Sequence, residues 1–287
     1  MELTIPNELK TEYPFKSHFL KIKSEDLHYI DEGDGPVVIM LHGNPTWSFF
    51  YRNVVKQLSS NHRVIVPDHI GCGLSSKNEN YEYTLKNHIE NVLKLIQHLK
   101  IEKFSLIVHD WGGAIGMGVA TTLPDKVEKI VAMNTAGFTS SEIPFRINIL
   151  RNPVGEFVIR SMNAFAYPAT FMAVNKKMNN VVKKGFLLPY NNYSNRIATA
   201  KFVRDIPMDS NHPTYQTLKK IEDNLKMIKA PLLLLWGEKD FCFTMNFFHK
   251  WLSFFPNAKT KTYPRAGHYL LEDETNDVLI QIENFLN

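Results

Sequence analysis

The chain has 287 residues, long enough for a single large domain to bury about 75% of the surface its unfolded form exposes. Hydrophobic residues make up 44% and charged residues 22%, which excludes a disordered or low-complexity chain. Lys and Arg total 33 against 29 Asp and Glu, and the cations are scattered rather than clustered, which sets nucleic acid aside as a partner.

The first stretch, MELTIPNELKTEYPFKSHF, carries charges throughout and has no apolar signal segment. No later apolar run approaches the ~18 residues of a membrane span, so a cytoplasmic protein without a membrane span is expected. Six short apolar runs then follow in order. They are VVIMLHG (Val37 to Gly43), RVIVPD (Arg63 to Asp68), FSLIVHD (Phe104 to Asp110), KIVAMN (Lys129 to Asn134), PLLLLWG (Pro231 to Gly237) and KTKTYP (Lys259 to Pro264). Helix-period segments separate them, around Tyr51 to Leu58, Leu85 to Leu99, Ala114 to Thr122, Asn246 to Phe255 and Asp277 to Leu286. Such alternation predicts an α/β protein whose mostly parallel sheet is covered on both faces.

The alternation breaks once, between Asn134 and Pro231, where roughly 95 residues hold no convincing strand. A helical cap over residues 138–214 is expected there, divided into short helices by Pro153, Pro168, Pro189 and Pro207. It would interrupt a core made of residues 1–137 and 215–287. Cys72 and Cys242 lie in unlike surroundings and no metal-ligand spacing occurs, so no disulfide, metal or other cofactor is expected.

Sites in doubly wound sheets gather at the carboxyl ends of strands. After the first run comes His42-Gly43-Asn44-Pro45, after the third Asp110-Trp111-Gly112-Gly113, after the fifth Gly237-Glu238-Lys239-Asp240, and after the sixth Ala266-Gly267-His268. Asp110 ends a buried strand and is followed by two glycines and a helix, the layout of a nucleophile elbow, although Val108 stands where that pattern has its first glycine. The alternative is an ordinary strand-to-helix turn whose aspartate caps the helix. The order Asp110, Asp240, His268 is the nucleophile, acid, base order of such enzymes, with Glu238 a rival for the acid. Against it stands the plainer combination of a loop aspartate and an incidental histidine. The backbone and side-chain N–H groups of Asn44 and Trp111 are candidate donors to a halide or an oxyanion. Their plainer roles are loop stabilisation for Asn44 and packing against the cap for Trp111.

With HGNPTWSFFYR, PDHIGCGLSS, VHDWGGAIG and AGHYLLED, the chain resembles the haloalkane dehalogenases nearly end to end. Asn44 with Trp111, and an acid at Asp240 rather than at the Asn134 position, resemble the third subfamily. GEKDFCF, LLPYNNYSNR and VRDIP are similar to the β-lactone decarboxylases of bacterial olefin biosynthesis within it. The resemblance implies an α/β-hydrolase fold with an eight-stranded sheet and an inserted helical cap. It implies a catalytic set of Asp110, Asp240 and His268, anion donors Asn44 and Trp111, and association with the other enzymes of that pathway. Two chemistries follow: decarboxylation of a dialkyl β-lactone to an alkene, or hydrolysis of a haloalkane to alcohol and halide.

Epoxide hydrolysis is a further alternative, with Tyr167, Tyr190 and Tyr193 as candidate acids, and a non-catalytic receptor is another. Phe165, Phe171, Met172, Phe186, Leu187 and Leu188 of the cap are expected to line a pocket for an apolar substrate, unless they only pack the cap onto the core. Arg196 and Arg204 fit structural ion pairs better than a carboxylate receptor.

Overall fold

The computed structural model describes residues 4–287. An N-terminal hairpin of β1 (His18–Ile22) and β2 (Glu25–Glu32) leads into β3 (Val37–Leu41), α1 (Arg52–Leu58), β4 (Arg63–Pro67), α2 (Leu85–His98), β5 (Phe104–Asp110), α3 (Trp111–Thr122) and β6 (Val127–Thr135). Helices alone follow: α4 (Phe145–Asn148), α5 (Pro153–Met162), α6 (Ala166–Met172), α7 (Asn180–Leu187), α8 (Ile197–Arg204) and α9 (Pro213–Asn224). The chain closes with β7 (Leu232–Gly237), α10 (Met245–Phe254), β8 (Lys259–Tyr263), α11 (Leu270–Asp273) and α12 (Thr275–Leu286).

The eight strands form one sheet in the order β1-β2-β4-β3-β5-β6-β7-β8, with β1, β2 and β4 paired antiparallel and the rest parallel. All six apolar runs are strands of this sheet. The hairpin β1–β2 was not among them, because an edge hairpin needs no continuous apolar run. Its strands read HFLKI and EDLHYIDE, and the buried side chains of β2 include Glu25 and His28. His28 donates through Nδ1 to the fully buried Asp68 carboxylate at 2.8 Å, so a polar pair occupies a core position there.

Apolar cores lie on both faces of the sheet, and every residue of β5 is buried. The chain passes from β3 outward to β4 and then returns to place β5 on the other side of β3. That reversal opens a crevice beyond the carboxyl ends of β3 and β5, between the His-Gly loop and the elbow. Among the described residues no helix is long and apolar enough to cross a membrane.

Of the four prolines expected to divide the helical segment, Pro153 opens α5, Pro189 sits in a short 3-10 turn directly after α7 and Pro207 follows α8, whereas Pro168 lies inside α6. Pro153 and Pro213 occupy first helical turns, where the missing N–H costs nothing, with Asn152 and His212 as side-chain caps. Within the helical segment α7 is seated on the core: Trp47 donates its indole N–H to the Gly185 carbonyl at 3.0 Å, and a Cβ at Gly185 would collide with the Phe49 ring.

Candidate active site

Asp110 carries φ +53° and ψ −127°, a conformation L side chains rarely adopt, and it is the last residue of β5 before α3 begins directly at Trp111. The strain aims its carboxylate into the crevice. The elbow works only with glycines around it: a Cβ on Gly112 would strike the Leu41 carbonyl, and one on Gly43 would strike the Asp110 carboxylate. Val108 takes the place of a third glycine because the missing volume has moved to α3. A Cβ at Gly116 would lie 2.6 Å from Val108 Cγ1, so Gly116 makes the room that Val108 consumes.

The carboxylate is buried and held. The backbone N–H of Asn44 donates to Asp110 Oδ1 at 2.6 Å, and His268 Nε2 lies 3.5 Å from Oδ2. His268 Nδ1 donates to Asp240 Oδ2 at 2.7 Å, and the other Asp240 oxygen accepts from the Cys242 N–H at 2.7 Å. Glu238 is exposed and takes no part. Burial works against a charged His268, yet the Asp240 and Asp110 carboxylates outweigh it and raise the imidazole to about 10. Burial likewise opposes the Asp110 anion, but the hydrogen bond and charge of His268 dominate, with help from the Asn44 N–H, and hold its carboxyl below its ordinary range. The resting pair is therefore carboxylate and imidazolium.

A residue that sequence reasoning missed supports this arrangement. His109 is fully buried, its Nε2 donates to the His268 carbonyl at 2.9 Å, and its ring lies 4.5 Å from that of His268. Burial pushes its pKa down to about 3, so it is neutral. Phe243 also stacks on His268, with centroids 5.6 Å apart and planes 16° apart. The only advance signal for His109 was its adjacency to the nucleophile.

Asn44 and Trp111 both face the cavity. Here the expectation needs amending: the Asn44 backbone N–H rests on the nucleophile, and one amide hydrogen donates to the Thr199 carbonyl of α8 at 3.1 Å. An amide nitrogen has two hydrogens, so one remains for a ligand. One turn beyond Thr199, Phe202 packs its ring 5.3 Å from the Trp111 ring. Both candidate donors thus lean on a single helix, α8, which only the tertiary structure brings to them. Glu156 of α5 anchors that helix through Lys201 at 2.9 Å and Arg204 at 2.6 Å.

The cavity of about 320 Å³ beside Asp110 is lined almost wholly by apolar side chains. Of the six cap residues expected there, Phe165 and Met172 line it. Four are corrected. Phe171 lies on the outer face of α6, 56% exposed, beside Tyr167. Phe186 is core: α7 turns it onto Tyr269, with centroids 5.2 Å apart and planes 16° apart. Leu187 and Leu188 continue that turn, half-buried and away from the cavity. Their places are taken by Phe138, Ile147, Leu150 and Val203 from the helical segment, and by Phe243 and Phe247 from the core. Helical periodicity could not distinguish these, because each short helix has both a core-facing and a cavity-facing side.

None of the three candidate tyrosine acids reaches the cavity. Tyr190 donates to the Thr46 carbonyl at 2.8 Å, while Tyr167 and Tyr193 are exposed. Arg196 donates to the carbonyls of Tyr190 and Arg160, and Arg204 pairs with Glu156, so both are structural. Cys72 and Cys242 are free thiols, the latter in the cavity wall. Among the described residues no cluster of His, Cys, Asp and Glu is arranged to hold a metal.

A doubly wound sheet with a strained residue at the end of β5, a cavity above it and a histidine returning after β8 is the architecture of an α/β hydrolase. The family model for the alpha/beta hydrolase fold matches residues 36–275, and the chain belongs to that family of enzymes. It is 42% identical over 287 residues to a cis-3-alkyl-4-alkyloxetan-2-one decarboxylase of Shewanella oneidensis, covering 97% of this chain and 90% of the relative. A protein of the same name from Xanthomonas campestris is 37% identical over 275 residues, covering 91% and 92%. Haloalkane dehalogenase 2 of Mycobacterium tuberculosis is 28% identical over 273 residues, covering 94% of each. The crystal structure of a haloalkane dehalogenase from Bradyrhizobium elkani has the same fold, with a TM-score of 0.86 over 95% of this chain and 97% of that one at 23% identity. The chain therefore stands among the haloalkane dehalogenase homologues, as its motifs imply.

Proposed function

We propose that this enzyme converts cis-3,4-dialkyl β-lactones to alkenes and carbon dioxide, with Asp110 as a nucleophile that forms a covalent ester. The observation that carries the reading is the Asp110 carboxylate, strained toward an apolar cavity and kept ionised by His268 at 3.5 Å. The substrate class follows from the two decarboxylase relatives, at 42% and 37% identity.

A carboxylate suits attack on a saturated, strained carbon because the resulting ester is a competent leaving group. Asp110 attacks the ring carbon that bears the ring oxygen, forming a C–O bond while the ring C–O bond breaks. The ring oxygen becomes part of a free carboxylate on the neighbouring carbon. The bond from that carbon to the carboxylate then breaks, its electrons form the alkene, carbon dioxide leaves, and the ester C–O bond breaks to restore Asp110. No water or proton is consumed. Attack inverts the ring carbon and anti elimination follows, so a cis lactone gives a cis alkene.

The remaining hydrogens of the Asn44 amide and the Trp111 indole N–H are the groups that would hold the liberated carboxylate. The residues of 138–214 act as a cap that keeps the reaction dry, since Ile147, Leu150, Phe165 and Met172 supply much of the apolar wall. His268 stays protonated throughout and serves as the counter-charge.

Haloalkane hydrolysis is the second reading, favoured by the Asn44 N–H on Asp110 Oδ1. That oxygen would carry the negative charge when water attacks an alkyl ester of Asp110. Once the ester forms, the Asp110 charge that helped raise His268 disappears, so the imidazolium releases its proton more readily and the neutral ring can then take one from the attacking water. Incubation with a cis-dialkyl β-lactone and, separately, with a 1-bromoalkane decides between them. Alkene in excess is expected; bromide alone reverses the assignment.

A further inference from the structure

We propose that the outer face of the helical segment docks on an anionic lipid surface, with the cavity mouth at the contact. Of the twelve exposed large apolar side chains among the described residues, eight lie within 138–214, which is about a quarter of the chain. Phe145, Ile149, Tyr167 and Phe171 lie on or next to α4 and α6, other residues of which line the cavity, and Val154, Phe157 and Met162 lie on α5 between them in the chain. Phe145 and Ile149 alternate with Arg146, Ile147 and Leu150, which line the cavity. Val154 and Phe157 share a face of α5, and Phe171 of α6 is 56% exposed next to the cavity-lining Met172. Phe145 is 76% exposed and Phe157 61%, values that an isolated soluble surface has no reason to repeat on neighbouring helices.

Charge selects the occupant. Residues 138–214 hold ten Lys and Arg against four Asp and Glu, a charge of +6, whereas the whole chain carries +4, so the remainder is −2. Part of that excess is spent internally: Lys201 and Arg204 pair with Glu156, Lys184 with Glu8 and Lys176 with Glu274. Lys177 and Lys183 have no acidic partner among the described residues, and Lys183 Nζ sits 4.4 Å over the Tyr167 ring, beside exposed Phe171. Exposed apolar side chains interleaved with free cations are the composition of a helix face that lies in a headgroup layer. The opposite sign of the rest of the chain orients the molecule with this face down. A bilayer is also where an apolar substrate partitions, so docking would deliver substrate to the mouth. The inference rests on the rim and its charge, and holds for either reaction proposed above.

The test is flotation of the full chain with vesicles of phosphatidylglycerol and phosphatidylcholine, compared with phosphatidylcholine alone. Two double variants are compared with the wild type: Phe145→Ser with Phe157→Ser, and Lys177→Gln with Lys183→Gln. Expected are binding that needs the anionic lipid and weakens with salt, loss of at least about tenfold for the first variant, and about 25-fold for the second, at about fivefold per cation. Unfolding temperature and turnover of a short, water-soluble substrate should stay at wild-type levels in both. No flotation of the wild type with anionic vesicles overturns the proposal, as does wild-type binding by either variant. So does a wild-type dimer in solution that the Phe145→Ser, Phe157→Ser variant converts to monomer, because a second copy would then own the face. Loss of both chemical activities in the wild type would instead strike the functional reading and leave the flotation result to stand alone.

Discussion

Replacing His268 by Phe separates the two reactions, because only one of them needs water. The ring space is kept: the new phenyl would pack against Phe243, whose ring lies 5.6 Å from that of His268, and His109, at 4.5 Å. What is lost is the N–H that Asp240 Oδ2 accepts at 2.7 Å and the cation 3.5 Å from Asp110. Removing one member of a buried pair costs about 3–5 kcal/mol, so the variant should fold with a lower unfolding temperature. Cys242 still donates to the other Asp240 oxygen at 2.7 Å, which limits the damage. On a bromoalkane, Asp110 still displaces bromide, but loss of the general base slows ester hydrolysis by about 10²–10⁴, or roughly 2.7–5.4 kcal/mol of barrier. The alkyl ester should therefore accumulate and appear as added mass on the intact protein, mapped to the peptide holding Asp110. On a cis-dialkyl lactone no water is needed, so alkene should continue to form, more slowly because the cation beside Asp110 is gone, and no long-lived adduct should build up. An unmodified mass after prolonged exposure of the folded variant to bromoalkane refutes the reasoning. So does a lactone adduct as persistent as the alkyl one, because His268 would then serve the elimination itself.

Asp110→Asn should abolish both reactions while the fold persists, and activity retained by a well-folded variant would remove the nucleophile assignment. In H₂¹⁸O, repeated dehalogenation should place ¹⁸O in the Asp110 carboxylate, whereas lactone turnover should leave it unlabelled, as read from the mass of that peptide. Phe202→Leu removes the ring beside Trp111 without touching the cavity wall, so kcat should fall about tenfold with KM nearly unchanged; a KM effect alone would contradict a positioning role. The His268 pKa is raised to about 10 from an unfolded value of about 6.5, so the stability drawn from its carboxylate partners is complete below about pH 6.5 and is lost as pH rises through about 10. The difference in unfolding free energy between wild type and Asp110→Asn should shrink over that window; a constant difference would show that the pair contributes nothing pH-dependent.

The sequence by itself determined the six apolar strands, the helical interruption between β6 and β7, and the chain order of Asp110, Asp240 and His268. It could do so because continuous apolar runs report burial on both faces, and because strand ends in such a sheet converge on one edge. The β1–β2 hairpin escaped, since its buried positions include Glu25 and His28 and it lies at the sheet edge. Only the tertiary structure decided which side of each cap helix meets the cavity, sending Phe186 to Tyr269 and Phe171 to solvent while Ile147 and Leu150 line the wall. Short amphipathic helices carry an apolar stripe whichever neighbour it meets, so periodicity names the stripe and not the neighbour. The supports of the site, Thr199 on Asn44, Phe202 on Trp111 and His109 on His268, are likewise contacts across long sequence separation or through a backbone carbonyl. Residue type alone carries no mark of them; they exist only because the folded chain has brought α8 and the turn after β8 against the elbow.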